Sequence, residues 1–127
     1  MRPPTLSPLL AAFAFLTLLP SPLFALTVKS LVVLGDSYSD PGNSQRMTNG
    51  PLWAEDLAHA WGAQLYDFAF SGATCQKWTN NYLLPSVKDQ LAMYYKEKLE
   101  LHPDETVYAI WIGINDIVAV AGKVWRE

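Results

Sequence analysis

The sequence has few of the residues that build cross-links and metal centres. Its 127 residues include one cysteine, Cys75, and two histidines, His59 and His102. A single cysteine excludes an internal disulfide framework, and this set is too small for a typical structural zinc site. There is also no glycine-rich nucleotide-binding motif after a strand. We therefore expect neither a bound metal nor a cofactor.

Positive charge is scarce as well. The chain has nine Lys and Arg residues and twelve Asp and Glu residues, which gives a formal net charge of -3, and the basic residues form no block. This balance disfavours binding to a phosphate backbone, so we expect no nucleic-acid partner. Apolar residues make up 50% of the chain and charged residues 17%, which is a globular composition. The length allows one domain.

No apolar run is long enough to cross a bilayer, but a shorter one lies near the N-terminus. Residues 9–19 read LLAAFAFLTLL, with Arg2 before them and Pro20, Pro22 and Ala25 after them. The run is about half of the roughly 20 residues that a membrane span needs. A charged start, a short apolar run and a small residue at its end are typical of a secretory signal peptide. We expect residues 1–25 to be removed and the protein to be extracellular, without a stable membrane anchor.

Beyond residue 25, strand and helix patterns alternate. Short, mostly apolar stretches, each followed by glycine or serine, predict strands over residues 28–34, 64–70 and 106–112, and the first is rich in β-branched residues. Helical patterns begin near Pro51, near Pro85 and at Asn115 or Asp116. Repeated strand–helix units favour an α/β fold: a doubly wound parallel sheet in three layers, with helices on both faces.

Polar residues follow the three predicted strands. Ser37 follows the first, Gly72 the second and Asn115 the third. Doubly wound sheets bind ligands at the carboxyl ends of their strands. If the first strand lies between the other two, the three turns are on adjacent strands about 5 Å apart. A serine hydroxyl flanked by a glycine amide and an asparagine carboxamide suits acyl transfer, because donors then surround the developing oxyanion.

Four sequence blocks resemble those of the GDSL, or SGNH, hydrolase family. They are LGDSYSD at 34–40, NGPLW at 49–53, DFAFSGAT at 67–74 and WIGIND at 111–116. Their residues are similar to those of the secreted fungal-type acetylesterase and lipase-like branch of the family. The resemblance implies an SGNH/flavodoxin-like fold and ester hydrolysis through an acyl-enzyme. The implied substrate is a small ester or an acetylated carbohydrate.

The resemblance also implies roles for individual residues. Ser37 would be the nucleophile. The backbone N–H groups of Ser37 and Gly72 and the side chain of Asn115 would form the oxyanion hole.

Trp78 lies in a polar loop and is a candidate substrate contact. Asp36 and Asp116 are expected to be structural hydrogen-bonding residues instead of proton-transfer groups.

A histidine base is missing from these blocks. The family carries an Asp-x-x-His pair near its C-terminus, and this chain ends before that point. Asp56 and His59 have the same spacing but lie on the first predicted helix, where we expect a solvated face. His102 is predicted to complement a helix end. We interpret residues 26–127 as the N-terminal part of a hydrolase domain, truncated after about three βα units and lacking full activity, with the third strand as an exposed edge.

Other interpretations stay open from the sequence. The chain could be a secreted, non-catalytic carbohydrate-binding module on the same scaffold, or a fragment that does not fold. Ser37 could simply cap a turn without a catalytic role, and Asn115 could simply cap a helix. The patterns do not fix an oligomeric state.

Overall fold

The computed structural model describes residues 27–77 and 84–124, with side chains up to Ala121. The predicted signal peptide, residues 1–25, lies outside the described residues. So does Trp78, the candidate substrate contact.

Three parallel strands form one sheet: β1 (Ser30–Gly35), β2 (Gln64–Asp67) and β3 (Thr106–Trp111). Their order is β2-β1-β3, so the first strand lies in the centre, as the placement of the three turns required. Ser30 is in register with both Gln64 and Thr106. β2 ends three residues earlier than predicted, although the backbone N–H of Phe70 still donates to Gly35 O (3.1 Å).

Helices connect the strands and follow the last one: α1 (Trp53–Trp61), α2 (Val87–Glu97) and α3 (Ile114–Val124), with a 3-10 turn at Pro103–Glu105. α1 begins where the Glu55 carboxylate accepts the Leu52 N–H at 2.8 Å. It ends at Gly62, whose φ of 63° is a left-handed conformation that glycine adopts at no steric cost.

The two faces of the sheet are covered by different helices. On one face, Leu31 and Val33 of β1 are buried against Ala54 and Ala58 of α1. The alternate residues of β1 point to the opposite face and are also buried, and α2 contacts β1. The predicted three-layer α/β architecture is therefore confirmed. Because β1 is buried on both faces, it is the core of this sheet.

The third strand and the helix after it are far more exposed. In the described part of the chain β3 pairs only with β1. Tyr108, Ile110 and Trp111 are each more than half exposed, in agreement with the predicted exposed edge. α3 presents further apolar side chains to solvent: Ile114, Ile117, Val118 and Val120. Within the described ranges no helix is long and apolar enough to cross a membrane.

Candidate active site

The chain turns sharply after β1, and Ser37 lies on this turn. The backbone N–H groups of Ser39 and Asp40 both donate to the carbonyl of Asp36, at 3.0 and 3.1 Å. Asp36 is fully buried, whereas Ser37 is only half buried. A tight strand-to-loop turn of this kind presents a serine at the end of a sheet.

Gly35 is required just before this turn, because β3 passes very close to it. A Cβ atom at Gly35 would lie 2.6 Å from the backbone carbonyl oxygen of Trp111. That oxygen accepts the N–H of Asp36 at 3.2 Å. Any larger residue at position 35 would therefore push β3 away from the residues that carry Ser37.

Gln90 of α2 fixes the same backbone from the other side. Its Oε1 accepts the Gly35 N–H and its Nε2 donates to the Gly35 carbonyl, both at 2.8 Å. The Gln90 side chain is completely buried. Because a buried amide must be paired to offset its desolvation, this bidentate contact specifies one position of α2 relative to the end of β1.

Asp40 holds the loop that follows Ser37. Its buried carboxylate accepts backbone N–H groups from four consecutive residues and from Ser71, at distances from 2.6 to 3.4 Å; the four are Gly42, Asn43, Ser44 and Gln45. Burial alone raises the pKa of Asp40, but the N–H donors outweigh it and hold the pKa below its ordinary value. Asp40 thus links the turn after β1 to the residue before Gly72.

The second and third turns are joined by Asn115. Gly72 has a φ of +82°, a conformation that favours glycine. The next residue, Ala73, accepts a hydrogen bond from Asn115 Nδ2 at 2.8 Å. Asn115 lies in the first turn of α3, which begins at Ile114, so the prediction that Asn115 or Asp116 caps this helix is wrong. The carboxamide contacts the glycine turn instead of the helix backbone.

Asp36 and Asp116 both accept backbone N–H groups in the structure. Asp36 Oδ1 accepts the Tyr38 N–H at 3.1 Å, and burial raises the pKa of Asp36. The Asp116 carboxylate accepts the Cys75 N–H at 3.0 and 3.2 Å. Burial and then the nearby Asp116 charge raise the pKa of the Cys75 thiol. Since the thiolate is the reactive form, this shift lowers the reactivity of Cys75.

Ser37 and Asn115 open onto one cavity of about 480 Å³. The remaining lining residues are Tyr38, Met47, Thr48, Leu52 and Ile114. Two of the three residues predicted to form the oxyanion hole therefore border the same space. The third, Gly72, is adjacent to Ala73, to which Asn115 is bonded.

Neither histidine lines this cavity. Asp56 and His59 are both exposed on α1, as expected for a solvated face. The prediction that His102 ends the second helix is wrong, because α2 ends at Glu97 and Lys98 takes the left-handed capping conformation, whereas His102 precedes the 3-10 turn. Residues 27–77 and 84–124 contain no group of three or more His, Cys, Asp or Glu side chains able to hold a metal ion.

Two residues that hold the backbone around Ser37, Gln90 and Asp40, were not predicted from the sequence. Gln90 stands at helical spacing within the stripe of Val87, Leu91 and Tyr94, and a lone polar residue on such a stripe is the signal that could have revealed it. Asp40 precedes Pro41 and Gly42, a pattern in which an aspartate often accepts backbone N–H groups of its own turn.

Comparison with known proteins identifies the family. A family model described as GDSL-like Lipase/Acylhydrolase matches residues 31–123. The chain belongs to the GDSL-like lipase/acylhydrolase family. The match covers β2, β3, all but the first residue of β1 and the residues that hold the turns after them, so the resemblance in the sequence is confirmed.

Three curated proteins of known name are similar to this GDSL-family chain. An acetylesterase from Hypocrea jecorina is 30% identical over 70% of this chain. A thermolabile hemolysin from Vibrio parahaemolyticus is 31% identical over 72% of it, and a phosphatidylcholine-sterol acyltransferase from Aeromonas hydrophila 27% over 70%. The aligned parts cover 35%, 26% and 33% of those proteins, so the chain spans about a third or less of their length.

Proposed function

We propose that this protein hydrolyses carboxylic esters, with Ser37 as the nucleophile. Ser37 Oγ forms a bond to the acyl carbon and the alcohol leaves with a proton. Water then adds to the acyl carbon and releases the carboxylic acid, regenerating the serine. The observation that carries this proposal is the common cavity of Ser37 and Asn115 at the carboxyl ends of β1 and β3.

The oxyanion would be bound by three groups in this proposal: the backbone N–H groups of Ser37 and Gly72 and the Asn115 carboxamide. An amide nitrogen carries two N–H groups. Ala73 O accepts one of those of Asn115, which aligns the side chain and leaves the other for substrate. Loss of one such donor typically lowers kcat by about 100- to 1,000-fold.

An acetylated carbohydrate is the specific substrate that we propose within this class. The support is the similarity to a protein named acetylesterase. The other two relatives are named thermolabile hemolysin and phosphatidylcholine-sterol acyltransferase, and the second name also describes an acyl transfer. A small ester and an acetylated carbohydrate would both present an ester carbonyl to Ser37.

We also propose that the described residues do not themselves supply the catalytic base. Serine hydrolysis needs a histidine within hydrogen-bond reach of the nucleophile. His59 and His102 are exposed and border other surfaces than the cavity of Ser37. The 127-residue chain alone is therefore expected to hydrolyse esters slowly.

Chemical rescue tests both proposals together. Imidazole added to the 127-residue chain should raise hydrolysis of p-nitrophenyl acetate, because free imidazole can act as the missing base. The increase over the imidazole background should vanish in Ser37→Ala. Ser44→Ala, an exposed serine of the same loop, is the matched control and should retain it. Turnover that survives in Ser37→Ala would refute the proposed nucleophile, and turnover lost in His59→Ala would refute the proposed lack of a base.

Export is a further part of the proposal. We propose that residues 1–25 are cleaved as a signal peptide and that the protein is extracellular, on the sequence pattern alone. N-terminal sequencing of the protein recovered from culture medium should begin near Leu26. Recovery only inside cells, with Met1 or its successor at the N-terminus, would contradict it.

A further inference from the structure

Of the four sequence blocks, only NGPLW at residues 49–53 contributes neither the proposed nucleophile nor a proposed oxyanion donor. It ends with Trp53, the first residue of α1. The Trp53 ring is half-buried and packs against the core that β1 and α1 form. Its Nε1–H donates to Ser39 Oγ at 3.0 Å. Because an indole nitrogen can only donate, the Ser39 hydroxyl is the acceptor in this contact.

Ser39 connects Trp53 to the turn that carries Ser37, and it is completely buried. A Cβ atom at Gly35 would lie 3.1 Å from Ser39 Oγ, so the hydroxyl is close to the end of β1. The backbone N–H of Ser39 donates to the Asp36 carbonyl at 3.0 Å. Trp53 therefore holds the side chain of a residue whose backbone holds Asp36.

The Asp36 carbonyl belongs to the same peptide group as the Ser37 N–H. A peptide group is planar, so bonds that fix its carbonyl also fix the direction of its N–H. The N–H groups of Ser39 and Asp40, which share this carbonyl, therefore set the direction of the Ser37 N–H. That direction matters for the proposed reaction, because a donor stabilises an oxyanion only when it is aimed at the position where the charge develops.

Trp53 also contacts a residue that bonds the other backbone group of Asp36. Its ring lies beside that of Trp111, with the centroids 6.1 Å apart and the planes tilted by 39°. The Trp111 carbonyl accepts the Asp36 N–H at 3.2 Å. Trp53 thus touches one residue that bonds the Asp36 carbonyl and one that bonds the Asp36 N–H.

We infer that Trp53 is a positioning residue for ester hydrolysis: its indole N–H, acting through Ser39, aims the Ser37 N–H at the oxyanion. This inference rests on the proposed function of Ser37. Trp53 does not border the cavity beside Ser37, so it makes no contact there with a bound ester. Loss of an interaction that forms only in the transition state lowers kcat and leaves KM nearly unchanged.

Trp53→Phe tests this inference, because it keeps an apolar ring and removes the N–H. In the 127-residue chain with imidazole, kcat for p-nitrophenyl acetate should fall about tenfold. This is less than the roughly 100- to 1,000-fold loss on deleting a donor, because the Ser37 N–H is misdirected and not removed. Ser39→Ala breaks the same hydrogen bond from the other end and should give a similar loss. Trp61→Phe, the same change at the last residue of α1, where the ring is 41% exposed, is the control and should retain kcat.

A sulfur ester separates positioning from a loss of folded protein. Trp53→Phe leaves the buried Ser39 hydroxyl without its donor, so some loss of stability is expected as well. In p-nitrophenyl thionoacetate, sulfur replaces the carbonyl oxygen and accepts hydrogen bonds weakly. The unmodified chain should therefore prefer the acetate more strongly than free imidazole does. A smaller folded fraction would slow both esters equally, whereas a misdirected N–H slows mainly the acetate.

The preference for the acetate should thus fall several-fold in Trp53→Phe and in Ser39→Ala, and stay as it was in Trp61→Phe. If the two residues act as one unit, the double variant should lose no more activity than either single variant. Losses that multiply in the double variant would overturn the inference. So would an unchanged preference for the acetate in both single variants, or a higher KM at constant kcat.

Failure of the proposed function has a different signature, because turnover would then survive in Ser37→Ala. The contact itself is measured without turnover by NMR of the indole N–H groups. The signal that is missing from Trp53→Phe belongs to Trp53, and it should shift in Ser39→Ala whether or not Ser37 is the nucleophile. A Trp53 signal that does not respond to Ser39→Ala would overturn the inference.

Discussion

The two sides of the candidate site are held in unlike ways. On the β1 side, Asp36 and Asp40 are completely buried, and Gln90 bonds both backbone groups of Gly35. On the α3 side, Ile117 and the residues near it are exposed to solvent. The described contacts of α3 with the glycine turn are hydrogen bonds from Asn115 and to Asp116.

Because of this difference, we expect substitutions on the β1 side to affect mainly stability and substitutions on the α3 side to affect mainly the reaction. The buried residues that hold the turn beside Ser37 are part of the core, so their replacement should destabilise the protein, whereas Ser37 itself is only half buried. The proposed oxyanion donor Asn115 belongs to a weakly packed helix, so its loss should affect the reaction far more than folding. Four substitutions test this contrast, from the largest expected effect on the free energy of unfolding to the smallest.

Asp40→Ala should be the most destabilising of the four. It removes a carboxylate that accepts five backbone N–H groups, including that of Ser71 across the site. Hydrogen bonds to charged groups contribute about 1.5–3 kcal/mol each, and the loop donors regain water once freed, so we expect a net loss of about 3 kcal/mol. Urea denaturation measures it, with the exposed Asp56→Ala as control. A loss below about 1 kcal/mol would contradict the described role of Asp40.

Gln90→Leu should cost about 2 kcal/mol, because it leaves the buried N–H of Gly35 without an acceptor. The Gly35 carbonyl keeps the N–H of Phe70, which limits the loss. The comparison is with Gln64→Leu, an exposed glutamine at the start of β2, for which a change within about 0.5 kcal/mol is expected. Similar midpoints for the two variants would show that the Gln90 contact does not stabilise the turn.

Sequence patterns predicted the strands of the sheet but not the buried hydrogen bonds of Asp40 and Gln90. β1 and β3 are short, rich in β-branched residues and ended by glycine, and such local signals placed them within two residues of their observed ends. The site residues followed, because the carboxyl ends of parallel strands meet at one edge. Gln90 could not be assigned from α2 alone, since its partner Gly35 is 55 residues away.

Other errors have the same origin in tertiary contacts. The carboxamide of Asn115 resembles a helix cap in the sequence, but its acceptor is Ala73, 42 residues earlier. The apolar lining of the cavity combines the loop at Met47 with α3 at Ile114, and no local pattern joins those two segments. The pairing of distant backbone groups, not residue propensity, decides such positions.

Asp67→Asn should change how stability depends on pH. Burial, together with the charges of Asp40 and Glu55, raises the pKa of Asp67 to about 7, although the N–H of Ala69 opposes this. The folded state therefore holds a proton that the unfolded state releases near pH 4, so stability falls as pH rises from about 4 to 7.

Melting temperatures at pH 5 and pH 8 measure this effect. The unmodified protein should melt at a lower temperature at pH 8, and the difference should shrink in Asp67→Asn because the asparagine never ionises. Asp104→Asn, at an exposed position in the 3-10 turn, should leave the difference as it was. An unchanged pH difference in Asp67→Asn would assign the dependence to another group.

Asn115→Ala should have the smallest effect on folding and a large one on reaction. One hydrogen bond to Ala73 is lost from a weakly packed helix, at a cost of about 1 kcal/mol or less. The imidazole-rescued hydrolysis should fall by about 100-fold or more, as for other oxyanion donors. Asn49→Ala, an exposed asparagine of the loop, should retain both properties. A variant that unfolds, or one that hydrolyses normally, would break the proposed contrast.

The central claim is that Ser37 is the nucleophile of an ester hydrolase, and covalent trapping tests it most directly. The protein would be treated with a p-nitrophenyl alkylphosphonate in the presence of imidazole, and the modified residue located by mass spectrometry of its peptides. The account predicts a single phosphonyl group on Ser37 and none in Ser37→Ala. Labelling that persists in Ser37→Ala, or that lies on another residue such as Cys75 or Ser44, would contradict it.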